Sequence, residues 1–449
     1  MTDRKKVLII TYYWPPAGGI GVLRCLKFAK YLRKFGWEPV IHTVENAQYP
    51  IKDQSNFKDI PEGITVLKTP CIEPFNFYKL ITGKKKDDPM GNVLNTHDKK
   101  PGIMHHLSLW IRGNLFFPDA RALWIKPSVK FLSKYLQENP VDAIFSDGPP
   151  HTNTMIAYHL KKKLGIPWVS DYQDPWTQVD YYKLFPLTSW ADRKHKKMEQ
   201  ECFKAADKIT IASPTWGRQL EEIGASKTEV LYYGYDEDDF KSLPQQLDEK
   251  FTISHSGLMG PDRCPVPLFA ALKALKEEVP GFVDDLRIVL MGQVDYGVVE
   301  EFRKAGLEKN LILKGMVPRA ESLRCMINSQ ILLLPLNQAR NAKGRIPGKL
   351  YENLRAHRPI LSFGPLDSDV ANILSNTGAG ETFDYCDLEG VKEFLLKSYK
   401  KYKAGMLTVD SSDIICYSNE KQTEKLAYLL NKVTARSLKK KAALKRALS

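Results

Sequence analysis

Twice along the chain a strand-like run, apolar throughout in the first case and alternating in the second, ends in a glycine-bearing loop that then opens a helix. Val7-Leu8-Ile9-Ile10 leads into Tyr12-Tyr13-Trp14-Pro15-Pro16-Ala17-Gly18-Gly19-Ile20-Gly21, and Phe251-Thr252-Ile253-Ser254-His255-Ser256 leads into Gly257-Leu258. A short run that is apolar throughout has no solvated face, so it belongs in a parallel sheet covered on both sides by helices. Glycine between the strand end and the helix start lets a ligand approach the backbone closely. The repetition predicts an α/β chain of two Rossmann-like halves, and 449 residues ask for two cores of roughly 200 residues each. We place the halves at 1–240 and 250–415, joined by the polar stretch Lys241 to Lys250, with a helix over 416–435 and a basic tail over 436–449. Within the first half, about 48–135 reads as a long irregular insertion.

Composition narrows the function. Seven cysteines, an odd number without a CxxC pair, argue against both a disulfide framework and a zinc site and point to the reducing cytosol. The apolar segment after Met1 is too short for a signal peptide, and no later one reaches transmembrane length. A formal charge of +14 first suggests nucleic acid, but no zinc-finger spacing, RNP-like aromatic motif or basic heptad accompanies it, so no nucleic-acid partner is expected. An anionic inner-membrane surface fits better. Basic and apolar residues alternate in Phe75 to Ile81, Lys84-Lys85-Lys86, Leu109 to Arg112 and Leu115 to Phe117, and again in the tail at Lys439 to Lys441 and Lys445-Arg446.

Several residues carry chemistry. His151 follows the strand Ala143 to Ser146, at the carboxyl end where open α/β sheets bind ligands, with Thr152 or Asn153 as candidate cap of the next helix. Asp171 and Asp174 end the next strand, and a carboxylate there suits a cationic, sugar-like transition state or a hydroxyl acceptor. Gly19-x-Gly21 is followed by Arg24 where a dinucleotide fingerprint needs its third glycine. Asp236-x-Asp238 has no metal-site context and reads as solvated linker. Arg263 can clasp a diphosphate bidentately. Past Ile331 to Leu334, Pro347 suits the first position of a helix on which Leu350 and Leu354 face inward, while Lys349 and Glu352 lie near the start to meet an anion and a hydroxyl.

The run from Pro347 to Gly364 resembles the donor motif of glycosyltransferase family 4, and the likeness extends over nearly the whole chain, nearest to bacterial members that build surface polysaccharides. The resemblance implies the GT-B fold, two Rossmann-like domains facing across a cleft, with the final helix crossing back onto the first domain. It implies a retaining, hexosyltransferase-type enzyme that uses a nucleotide sugar and a polysaccharide or lipid-linked glycan acceptor, with no cofactor or metal, in the cytoplasm or on the inner membrane face. By position Glu352 would hold the ribose, Gly18 and Gly19 would lie near the donor phosphates or acceptor, and the Gly315 to Pro318 turn, through Val317, would meet the base. Gly257, Arg263, Arg345, Lys349 and Leu350 complete the donor set, and Asp174 and His151 are the catalytic candidates. Three departures stand out. Gly344 replaces a second Glu, Leu268 replaces a Lys whose charge Lys349 or Arg345 would supply, and Gln173 replaces the His of a His-Asp pair. Retention would use attack on the leaving group's own side, with the departing phosphate as base. The alternatives are a nucleotide-sugar epimerase or hydrolase of the same fold, or a non-catalytic partner in polysaccharide assembly.

Overall fold

The computed structural model describes residues 4–72, 103–244, 246–407, 409 and 413–448, and of residues 103–105 and 440–448 the backbone alone. The chain forms two compact units, one of residues 1–232 and 419–449, the other of residues 233–418.

In the first unit seven strands, β1 (Lys5–Ile10), β2 (Trp37–Val44), β3 (Thr65–Thr69), β4 (Ala143–Gly148), β5 (Trp168–Tyr172), β6 (Lys208–Ile211) and β7 (Glu229–Val230), lie in the order β3-β2-β1-β4-β5-β6-β7, every pair parallel. β1 is central and its neighbours are laid down first on one side and then on the other, which opens a crevice at the carboxyl ends of β1 and β4. Alternate residues of β1 serve both layers. Val7 and Ile9 pack with Leu26 and Ala29 of the helix Ile20–Leu32 and with Leu426 and Leu430 of the last helix, Asn419–Leu448. Leu8 and Ile10 face Leu132, Ile156 and Leu160 on the other side. Lys5 Nζ to Asn431 Oδ1 at 2.9 Å and Tyr232 N–H to Gln422 Oε1 at 2.8 Å tie that last helix to this unit.

The second unit repeats the plan. β8 (Phe251–Ser256), β9 (Leu286–Met291), β10 (Leu311–Gly315), β11 (Ile331–Pro335), β12 (Ile360–Phe363) and β13 (Gly380–Phe383) run parallel in the order β10-β9-β8-β11-β12-β13, with the crevice between β8 and β11. Phe251, Ile253, Leu268, Leu272 and Leu290 are among its core residues. Leu268 is therefore packing, not a lost cation.

Two readings are corrected. The stretch 48–135 is not wholly irregular: it holds β3 and the helices Ile103–Leu115 and Ile125–Glu138. β3 is an edge strand with Val66 and Leu67 both half-buried, so it shows no alternation, and Pro127 reads as a breaker but sits in the first helical turn, where no N–H is missed. The acids after Tyr235 are not simply solvated. Asp236 is buried and accepts from Asp238 N–H, Asp239 pairs with Arg319, and Glu237 takes Arg355 Nε at 2.7 Å. Among the described residues no helix is long and apolar enough to cross a membrane. The basic, aromatic stretch Phe75 to Ile81 and the lysines 84–86 lie outside the described residues.

Candidate active site

In the second unit the loop after β8 and the helix Lys349–Arg355 meet at one point. Gly257 has φ +124, and a Cβ built on it would lie 1.3 Å from Lys349 Nζ, so the ammonium occupies the space that the glycine leaves. Burial lowers the Lys349 pKa to about 8, the Arg263 guanidinium pushes the same way, and Glu352 opposes both. Two cations kept close at that cost form a receptacle for polyvalent anion. His255 on β8, held by its Nδ1–H to Leu333 O at 2.9 Å, is driven to about 3 by burial and by Lys349, so it adds no charge of its own.

Glu352 does not stand alone. Its Oε1 takes Arg319 Nη1 at 2.5 Å, and Arg319 Nη2 reaches Asp239 at 3.2 Å. Burial disfavours the Arg319 charge, but the two carboxylates outweigh it and raise its pKa. Nothing in the sequence reading singled out Arg319. The signal was available: a cation at the first position of the helix Arg319–Asn328 opposes the helix dipole and needs a carboxylate nearby.

The remaining donor candidates are placed within their own units. Arg263 closes the turn Pro261–Arg263, its Nε 3.4 Å from Asp262. Arg345 is half-buried ahead of the helix, and Val317 is half-buried in the loop after β10. The helix begins at Lys349, two residues later than Pro347 implied, because Pro347 serves as an acceptor: its carbonyl takes the N–H of Leu350 at 2.9 Å. The side chain of Leu350 is fully buried in the core. In the first unit the N–H of Gly18 is spent on Ile51 O at 2.9 Å, and a Cβ there would meet Ile51 Cγ2 at 2.8 Å, so its smallness admits the neighbouring loop. Gly19, at φ +82, caps the helix Ile20–Leu32 with open space around it.

The carboxyl ends of β1, β4 and β5 hold a buried polar network. Arg24, in place of the fingerprint glycine, forks onto Asp171 with Nε–Oδ2 at 2.6 Å and Nη2–Oδ1 at 2.8 Å, and donates to Leu231 O and Tyr232 O. Asp147 accepts from Thr11, Asn153 and Gln173, which explains the glutamine: it hydrogen-bonds a neighbouring carboxylate at 2.8 Å. Burial, then Asp171, raises the Asp147 pKa to about 7. A carboxyl with a raised pKa binds more protons folded than unfolded, so its contribution to stability falls as pH rises from about 4 through 7. Asp147→Asn should therefore gain stability relative to the parent at pH 8 over pH 5. Equal urea midpoint differences at the two pH values would remove Asp147 as the cause.

The catalytic candidates fare differently. His151 is buried, stacked on Trp176 at 4.6 Å, and driven to about 3 by burial and by His195, so it stays neutral and is a poor proton acceptor at neutral pH. It precedes the helix Thr152–Leu164, but neither Thr152 nor Asn153 caps that helix. Asp119, far away in sequence, takes Thr152 N–H at 2.9 Å and its hydroxyl at 2.8 Å. Asp174 is half-buried just past β5, and nearby Thr177 donates its hydroxyl to Glu199 at 2.6 Å.

Residues 93–239 match the sequence profile of Glycosyltransferase Family 4. Over those residues the chain is similar to glycosyltransferase family 4. The matched stretch ends before β8, so the class comes from the first unit, and the donor residues rest on the geometry above. Solved structures of this glycosyltransferase's fold include S. aureus TarM in complex with Fondaparinux, alpha-GlcNAc-glycerol and UDP, with TM-score 0.59, 11% identity, and 95% of this chain and 100% of that one covered. WaaG, a glycosyltransferase involved in lipopolysaccharide biosynthesis, aligns with TM-score 0.54 at 15% identity over 94% and 99%. A putative UDP-N-acetylglucosamine 2-epimerase from Listeria monocytogenes aligns with TM-score 0.55 at 10% identity over 94% and 95%. At these identities the likeness establishes the GT-B fold alone. No curated protein matches the chain.

Proposed function

We propose that this glycosyltransferase is retaining and moves a sugar from a nucleotide-sugar donor, bound by the second unit, to a polysaccharide or lipid-linked glycan acceptor. The observation that carries the reading is the Lys349 ammonium set in the space of Gly257 beside Arg263, at the carboxyl end of β8. There the two cations stabilise the diphosphate as the glycosidic bond to its oxygen breaks. Glu352, oriented by Arg319, accepts from the ribose hydroxyls. The acceptor hydroxyl attacks on the face the diphosphate leaves, and its proton passes to the departing phosphate oxygen. Neither His151 nor Asp174 is then needed as a base, and Asp174→Asn should keep turnover within about tenfold, whereas loss of a true general base costs about 10²–10⁴.

Titration with UDP tests the site directly. A bound diphosphate favours the charged form of Lys349, so at pH 8.5, where the free side chain is partly neutral, UDP binding should take up a fraction of a proton. At pH 6.5 it should take up none, and affinity should decline above about pH 8. Calorimetry in buffers of different ionisation enthalpy reads the uptake. Binding with no proton linkage at either pH removes Lys349 from the phosphate site.

The Listeria epimerase neighbour keeps a second reading in view. Isomer formed from a nucleotide sugar with no acceptor present would select it. Placement on an anionic membrane face is supported by Leu107, Trp110 and Leu115, which the helix Ile103–Leu115 leaves exposed, and sedimentation with anionic vesicles tests it.

A further inference from the structure

The first unit contains a cavity of about 180 Å³ at the carboxyl ends of β1, β4 and β5, walled by Arg112, Arg121, His151, Trp176 and Tyr181 among others. We propose that it is an anion-recognising acceptor subsite, in which Arg112 and Arg121 take a carboxylate or phosphoryl group carried by the acceptor glycan and His151 hydrogen-bonds an adjoining hydroxyl. The inference rests on the proposed function, in which the second unit binds the donor and the first unit is left to take the acceptor.

Charge comes first. Among the described residues two guanidiniums and one carboxylate, Asp119, line the space, and both imidazoles in the wall are kept neutral by burial. The Asp119 oxygens are already committed to Thr152 N–H and hydroxyl and to Arg121 N–H, so the carboxylate works as a brace between the loop and the helix. The lining keeps a net positive charge. Arg121 lies over the Tyr12 ring at 4.5 Å, which fixes the plane of its fork. Burial, then Arg121, lowers the Arg112 pKa, a strain that an anion between them relieves.

The second observation is independent of charge. His151 is more than nine-tenths buried, lines the cavity, and has no hydrogen-bond partner on either ring nitrogen. A buried imidazole with neither nitrogen partnered is unusual, and it leaves an unsatisfied polar group in the cavity wall. Size agrees: an apolar cavity of about 150 Å³ admits a six-membered ring. Gly113 matters to this wall, since a Cβ there would come 2.5 Å from Leu187 Cδ2 and oblige that side chain to shift.

The test uses the full chain with UDP in excess to fill any diphosphate site, and follows glucuronate, glucose 6-phosphate and glucose by saturation-transfer NMR and calorimetry. We expect an acidic sugar to bind at least tenfold more tightly than glucose. Arg112→Gln and Arg121→Gln should each weaken that binding tenfold or more. Preference for glucuronate names a carboxylate, and preference for glucose 6-phosphate names a phosphoryl group. Glucose binding as tightly as both acids, or acidic-sugar binding that survives both arginine variants, overturns the assignment. If one arginine variant does not fold, the other carries the test, because both side chains line the same space. A separate UDP titration keeps the two proposals apart. UDP binding without acidic-sugar binding ends the subsite, and acidic-sugar binding without UDP binding ends the donor reading.

Discussion

Gly257→Ala should abolish transfer about as completely as Lys349→Ala, each costing roughly 10²–10³ in kcat, the range seen when one preorganised group is removed from a developing oxyanion. The added methyl would sit 1.3 Å from Lys349 Nζ at a backbone φ of +124 that a side chain tolerates poorly, so the ammonium must leave the diphosphate position. Because both substitutions remove the same group, their effects should not add: the double variant should be no slower than either single one, within about threefold. Multiplicative losses would mean that Gly257 acts through something other than the lysine. The proton uptake on UDP binding at pH 8.5 should vanish in both variants, a readout that a general loss of stability would leave in place.

Arg24→Met should destabilise the first unit by about 3–5 kcal/mol, the usual result of stripping one partner from a buried ion pair. Arg24 and Asp171 are both shielded from solvent, and the guanidinium also satisfies two backbone carbonyls at the end of β7. Without it Asp171 would face the neighbouring Asp147 carboxyl with, among the described residues, Thr210 as its remaining side-chain donor. Urea unfolding of the isolated variant measures the loss, and a midpoint within experimental error of the parent would show that the pair is compensated elsewhere. The binding of UDP to the folded fraction should be unaffected, since no residue of this network belongs to the second unit.

Sequence by itself determined the pair of parallel sheets. Runs such as Val7 to Ile10 and Ile331 to Leu334 are apolar on both faces and can be buried only between two helical layers, and the glycine after each central strand marks where those sheets leave a crevice. It also named Arg263, Lys349 and Glu352, because their charges lie close to strand ends and a helix start. Tertiary structure alone decided which charges meet. Arg319 reaches Glu352 across the sequence, Asp119 caps a helix that begins at Thr152, and Arg24 finds Asp171. His151 changed its meaning most: a histidine at a strand's end reads as a base, yet its pKa depends on the burial that Trp176 and its neighbours impose, and burial is a property of the packed chain. Local patterning fixes the elements because it sets which faces must leave water. Pairing of distant polar groups follows only after those faces have been brought together.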